Sequence, residues 1–343
     1  IQVWSEIGII FLLFALGLEF SFKKLFSVGS KAFLTALIEI LTMMGVGVLL
    51  GYIMGWHTME SIFLGGMLAM SSTTIIIKAF DDMKLKNEPF VDLTMVVLII
   101  QDLVAIVMMV LLSTAAASQK FAGKEMIGSM LKLGFFLVLW FAVGIFVIPT
   151  FFRKAKKYIN DETLLIISIG LCFGMVIFAN KVGFSSALGA FVMGSILAET
   201  IESEHIVKLT KGLKDLFGAI FFVSVGMMVD PQILVHYWKL ILSLIFITLV
   251  IKTVVSSGAV LMSGESLKVS FQTGFSLSQI GEFAFIIASL GVSLGVMRGY
   301  IYPVIIADIH IPMIARHFPF LAALTISWVI YNKVSSMSAF RFS

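Results

Sequence analysis

Apolar runs of about twenty residues, separated by short charged connections, recur along this chain and constrain its fold more tightly than any other feature. A helix rising about 1.5 Å per residue needs roughly that length to cross about 30 Å of hydrocarbon. The runs fall near 3–21, 33–54, 61–80, 93–115, 127–152, 163–181, 185–201, 216–230, 238–262 and 269–297, with an eleventh from 300. They are continuous, where barrel strands would alternate over about ten residues, so the spanning element is the helix. Only 13% of the residues are charged and 59% are hydrophobic, against about 25% and 45–50% in a soluble domain. The expected class is an all-α polytopic protein of the lipid bilayer.

The charges between runs set the direction of the spans. Lys23, Lys24, Lys31, Lys78, Lys84, Lys86, Arg153, Lys154, Lys156, Lys157, Lys208, Lys211, Lys214 and Lys268 fall on one side, which makes 14. Lys120, Lys124, Lys181, Lys239 and Arg298 fall on the other, which makes 5. The positive-inside rule places the first set in the cytoplasm. The basic balance is therefore a topology signal and not one for nucleic acid. The single cysteine, Cys172, lies within a run and implies no disulfide framework. The chain opens just before an apolar run without a methionine, so it is expected to begin inside a longer protein. The segments 185–201 and 216–230 are short for spans, and short or interrupted segments often line a cavity.

Four polar features interrupt the runs. LIIQDLVAIV (98–107) carries Gln101 and Asp102 in an otherwise apolar stretch. An ionised aspartate there costs at least about 2.5–3.5 kcal/mol, and such residues mark ion or proton pathways by default. Lys252 lies in ITLVIKTVVSS at a matching depth, roughly 15 Å from the cytoplasmic boundary at helical rise. An acid and a base at equal depth on antiparallel helices are natural partners, for a structural ion pair or for function. Ser71, Ser72, Thr73 and Thr74 form a run of hydroxyls. Either they bond back to the preceding helical turn, or the helix opens and its oxygens coordinate a hard cation. FSLSQIGEFAF (275–285) combines Gly281 with Gln279 and Glu282 and suggests a second broken helix, or a paired or snorkelling glutamate. Asp102 or Glu282 would neutralise the N-terminal ends of broken helices, and Lys252 the C-terminal ends.

EIGIIFLLFALGLEFSFKKL (6–25), AMSSTTIIIKAF (69–80), IIQDLVAI (99–106), GFSSALGAFVMGSILAE (183–199), FFVSVGMMVD (221–230) and SLSQIGEFAFI (276–286) together resemble the monovalent cation:proton antiporters. Within them the likeness is to the Kef-type branch associated with potassium efflux, over roughly residues 3–300. The resemblance implies a sodium/proton-antiporter-like fold of about thirteen helices, with inverted repeats and two crossed, broken helices. It also implies a core domain, here including 61–115 and 238–297, a dimerisation domain, and the absence of the first two helices from this chain. Asp102 matches the ion-binding carboxylate. Gln101 stands where sodium/proton members often have Asn or a second Asp. Ser71 to Thr74 match the first crossing helix, and Gln279 and Glu282 the second. Lys252 matches a basic residue of the core.

The function so implied is K⁺/H⁺ exchange by alternating access, with cation and proton competing for Asp102. Gln101, Ser71, Ser72, Thr73 and Thr74 are expected to complete the cation's shell, and Lys252, Glu282 and Gln279 to compensate charge. One acid exchanging one proton for one cation makes transport electroneutral; release of a proton from Lys252 would make it electrogenic. A Na⁺/H⁺ antiporter, a gated cation channel and an ion-binding membrane sensor stand as alternatives. No cofactor motif or nucleophile–base pair points to an enzyme, and His310 and His317 lack spaced partners for a transition metal. A homodimer in a bacterial inner membrane is the expected setting, with any cytoplasmic regulatory domain or subunit lying outside this chain. Residues 307–343 depart from the family: Asp308, His310, Arg316 and His317 crowd where an apolar span should continue.

Overall fold

A computed structural model describes residues 2–19, 29–85, 88–117, 123–155, 159–182, 184–227, 231–298 and 300–314. Among them there is no strand. The helices are α1 (Gln2–Glu19), α2 (Ser30–Ile53), α3 (Thr58–Ala69), α4 (Thr73–Asp82), α5 (Pro89–Ala117), α6 (Gly123–Ala155), α7 (Asp161–Val182), α8 (Ser186–Ala198), α9 (Ser203–Met227), α10 (Pro231–His236), α11 (Trp238–Phe246), α12 (Lys252–Met262), α13 (Leu267–Ser276), α14 (Glu282–Ser293) and α15 (Ile301–Ile314). A π-helical turn, Ile247–Ile251, joins α11 to α12 without a break. Among the described residues, Ser30–Ile53, Pro89–Met109, Asp161–Val182 and Trp238–Met262 are long and apolar enough to cross a membrane unaided.

The chain divides into two compact units. The first comprises residues 1–27 and 106–229, the second 28–105 and 230–343. In the first, α1 packs on α8 and α9. The helices meet at glycines: a Cβ on Gly17 would strike the Phe191 carbonyl, and one on Gly194 the Phe14 carbonyl. Phe11 of α1 stacks on Phe217 of α9, ring centroids 4.4 Å apart. The second unit uses the same device where α2 packs on α3. Gly47 faces Gly65, and Gly51 faces Ser61. Small residues bring backbones close enough for dispersion to hold helices together where lipid offers no hydrophobic drive.

Two of the expected spans are interrupted. The run 61–80 divides into α3 and α4 at Met70–Ser72. Met70 turns to an extended conformation (ψ 134°), and Ser72 follows at ψ 106°. The Ser72 hydroxyl then accepts the Ile75 N–H at 3.3 Å, which caps α4 and starts the helix again. The run 269–297 divides into α13 and α14 at Leu277–Gly281, where Gly281 is extended. The short segment expected at 216–230 is instead the latter part of the 25-residue α9. Its first half carries Lys208, Lys211 and Lys214, and that charge hides the helix from a reading of apolar length.

Candidate ion-binding site

The two interruptions meet inside the second unit. The Gly281 N–H donates to the Met70 carbonyl at 3.1 Å, and the Ser71 hydroxyl donates to the Leu277 carbonyl at 3.1 Å. Gly281 allows this approach because a Cβ there would meet the Ser71 carbonyl and lie 3.0 Å from the Ser72 nitrogen. Each break thus satisfies part of the other's freed backbone, which nothing in a bilayer interior would otherwise do.

α5 supplies Gln101 and Asp102. The Gln101 Oε1 accepts the Ser71 N–H at 3.2 Å, so the buried glutamine braces the first break. Asp102, one residue on, is only partly buried. Its Oδ2 accepts the Thr73 hydroxyl at 3.0 Å. Thr73 is the first residue of α4, so the carboxylate stands beside the partly positive end of that helix. Ser71 and Ser72 are buried at the break. Thr74 follows Thr73 in α4, and Glu282 is the first residue of α14; their side chains lie outside the described residues.

Lys252 has different partners from those its depth suggests. Its ammonium is fully buried and donates to the Met70 carbonyl at 2.9 Å and the Gln279 carbonyl at 3.2 Å. Both carbonyls follow the C-terminal ends of the leading half-helices, α3 and α13, where the helix dipole is partly negative. Gln279 enters through its backbone, with its side chain buried. The site therefore sorts its charges by helix polarity, a carboxylate at an N-terminus and an ammonium at two C-termini.

Two buried acids that act on Lys252 lie outside the expected site residues. Glu39, in the middle of α2, is fully buried, and its carboxylate acts electrostatically on Lys252. Its signal was an acid inside an apolar run, TALIEILTM, of the kind that singled out Asp102. Asp308, set aside with the atypical end of the chain, is buried in α15. Its Oδ2 accepts the Thr248 hydroxyl at 3.2 Å, and it also acts on Lys252. The helix continues through this residue to Ile314; residues 315–343 and the His310 side chain lie outside the described residues.

A family model described as the transmembrane sodium/hydrogen exchanger matches residues 1–333. The chain belongs to the sodium/hydrogen exchanger family. Among the chain's relatives, "K(+) efflux antiporter 5" of Arabidopsis thaliana is 30% identical over 308 residues, 88% of this chain and 54% of that protein. The "K(+)/H(+) antiporter subunit KhtU" of Bacillus subtilis (strain 168) is 28% identical over 296 residues, 86% of this chain and 73% of its own. The "Putative cation/proton antiporter YbaL" of Escherichia coli (strain K12) is 31% identical over 304 residues, covering 85% and 54%. The chain thus spans about half the length of two of these three. The structure of the sodium proton antiporter MjNhaP1 from Methanocaldococcus jannaschii superposes with a TM-score of 0.64 at 14% identity, covering 94% of this chain and 85% of that one. That likeness shows that the chain has the all-helical fold of that antiporter, and the transmembrane family model with the apolar spans makes it an integral membrane protein.

Proposed function

We propose that this chain is the membrane part of a K⁺/H⁺ antiporter and that Asp102 carries the two ions in turn. The observation that carries the reading is the Asp102 carboxylate, partly open and held by Thr73 at the first turn of α4, with Lys252 fixed on the carbonyl ends of the opposed half-helices. Ionised, Asp102 binds a monovalent cation with the Thr73 hydroxyl beside it. Protonated, it is neutral. A single carboxylate cannot hold both ligands strongly, and that competition couples the fluxes. Gln101 and Ser71 keep the break open, Ser72 caps α4, and Gln279 and Glu282 belong to the second break.

Potassium is favoured because three relatives sharing 28–31% identity include a K⁺ efflux antiporter and a K⁺/H⁺ antiporter subunit. Sodium is the second reading, favoured by the family description and by the sodium proton antiporter of like fold. With Asp102 as the exchanging acid and Lys252 retained as an ammonium, exchange is one for one and electroneutral. A homodimer in a bacterial plasma membrane is the assembly we infer, and the word "subunit" in the Bacillus relative's name supports a further partner chain.

The test is exchange in sealed proteoliposomes with an acidic interior, adding K⁺, Na⁺ or Li⁺ outside and following internal pH. Valinomycin clamps the potential in a parallel run. Alkalinisation by K⁺ alone, absent in Asp102→Asn, supports the proposal. A response to Na⁺ alone replaces the substrate, and no response from folded protein overturns antiport.

A further inference from the structure

Glu39 has an arrangement that Asp102 does not. It is fully buried, and neither carboxylate oxygen has a hydrogen-bond partner. Three other polar groups around it are in the same condition. Thr35 precedes it by one turn of α2 and so shares its face. Ser256 and Gln101 lie beside the carboxylate, and the Ser256 Oγ and Gln101 Nε2 are themselves buried without a hydrogen-bond partner of good geometry. Native interiors leave few such groups unpaired, and four together call for a reason.

We propose that Glu39, with Ser256 and Gln101 Nε2 around it, is a second proton-binding site of the core unit, set behind the break that Gln101 braces. The proposal rests on the antiporter reading for its place in the cycle. The chemistry of the patch suits both states of the acid. As a neutral acid Glu39 is a donor, and Ser256 Oγ is an acceptor in its surroundings. As an anion it is acceptor only, and then Gln101 Nε2 and Ser256 are donors, with the Lys252 ammonium as counter-charge. A proton arriving or leaving changes which of these bonds closes. No bond is formed or broken beyond O–H, and the proton comes from and returns to water.

The charged groups around Glu39 are few. α3, packed against α2, carries only Glu60, which pairs with Arg298 at 3.0 Å. α12, also packed against α2, carries only Lys252. On α5 the neighbour of Gln101 is Asp102, held by Thr73. Asp308 acts on Lys252 from α15. On α2 itself, Lys31 is taken by Glu265 at 2.7 Å. Lys252 is thus the charge that an ionised Glu39 has to answer it. The link to the transport site is Gln101, whose side chain acts on Glu39 while its Oε1 holds the Ser71 N–H. Through that amide the proton on Glu39 bears on the geometry of the break.

The experiment is infrared difference spectroscopy of the purified protein across a pH titration, reading the C=O stretch of protonated carboxyl groups. It is run in Asp102→Asn, where Asp102 is silent, and in Asp102→Asn combined with Glu39→Gln. The expected result is a titrating carboxyl band in the first that is missing from the second, while the bands of the chain's other acids persist in both. Ser256→Ala, which leaves the acid in place, is expected to shift that band, and it serves if the double variant does not fold. Identical titrations with and without Glu39, or a band indifferent to Ser256→Ala, overturn the proposal. Because the band is read without transport, its absence is distinguishable from failure of wild-type protein to exchange ions.

Discussion

The Lys252 ammonium donates to the Met70 carbonyl at 2.9 Å, so a side chain of α12 closes the break that ends α3. The same ammonium closes the second break at Gln279. Replacing it with Met, close in length and apolar, strands the Gln279 carbonyl at roughly 1–3 kcal/mol and leaves the Met70 carbonyl with the Gly281 N–H alone. Lys252→Met should therefore lower the unfolding midpoint in detergent even where the protein still assembles. A midpoint unchanged from wild type would remove Lys252 from the structural core of the site.

Asp102 and Thr73 separate binding from folding. Asp102→Asn keeps the shape and removes the charge, and exchange should vanish while the unfolding midpoint stays near wild type. Thr73→Val removes one hydrogen bond to a charged acceptor, worth about 1.5–3 kcal/mol. The apparent KM for the cation should then rise about tenfold or more, and Thr73→Ser should restore most of it. Measuring initial exchange rates against cation concentration decides this. If Val and Ser behave alike, the hydroxyl is not a partner in binding.

Glycines give a steric test. Gly281→Ala places a methyl against the Ser71 backbone at the meeting of the two breaks. Overpacking of this kind costs about 1–3 kcal/mol, and exchange should fall with stability. Gly45, in α2, has open space where its Cβ would be. Gly45→Ala should be neutral or stabilising by up to about 1 kcal/mol through helix propensity. The contrast is read as unfolding midpoints of the two variants side by side.

Glu60 and Arg298 tie the start of α3 to the connection before α15. Glu60 is buried and accepts both the Arg298 guanidinium at 3.0 Å and the His57 N–H at 3.0 Å. Arg298→Gln leaves the carboxylate with one donor and should destabilise by about 1–3 kcal/mol. Because ion binding does not use this pair, the KM for the cation should stay near wild type. A large change in KM would show that the connection reports on the site.

Cys172 supplies the readout for these comparisons. It is the chain's single cysteine and is fully buried. A thiol-reactive dye should label native protein slowly and unfolded protein at once. Rapid labelling of native protein would mean that α7 opens locally where the structure closes it.

Charge out of place was the legible part of this site. Asp102, Gln101, Lys252 and the hydroxyl run Ser71–Thr74 stand out because a bilayer makes each costly, and the structure places all of them at or beside the two breaks. Depth along a helix could be counted from the letters, but azimuth could not. Asp102 and Lys252 share a depth, yet the lysine's hydrogen bonds go to Met70 and Gln279. Main-chain carbonyls leave no trace in a sequence, so those partners were out of reach. Glu39 was within reach by the rule that found Asp102. α9 was not, because its charged first half and apolar second half read as a connection followed by a short span.

Two carbonyl ends of interrupted helices, pointed at one spot, are what a free alkali ion would seek. In this fold that spot is occupied by an ion that cannot leave, because it is attached to α12 through four methylenes. The lysine is a tethered cation. Its presence denies the carbonyl ends to a cation from solution, and on the proposed function that leaves the Asp102 carboxylate as the group for which cation and proton compete.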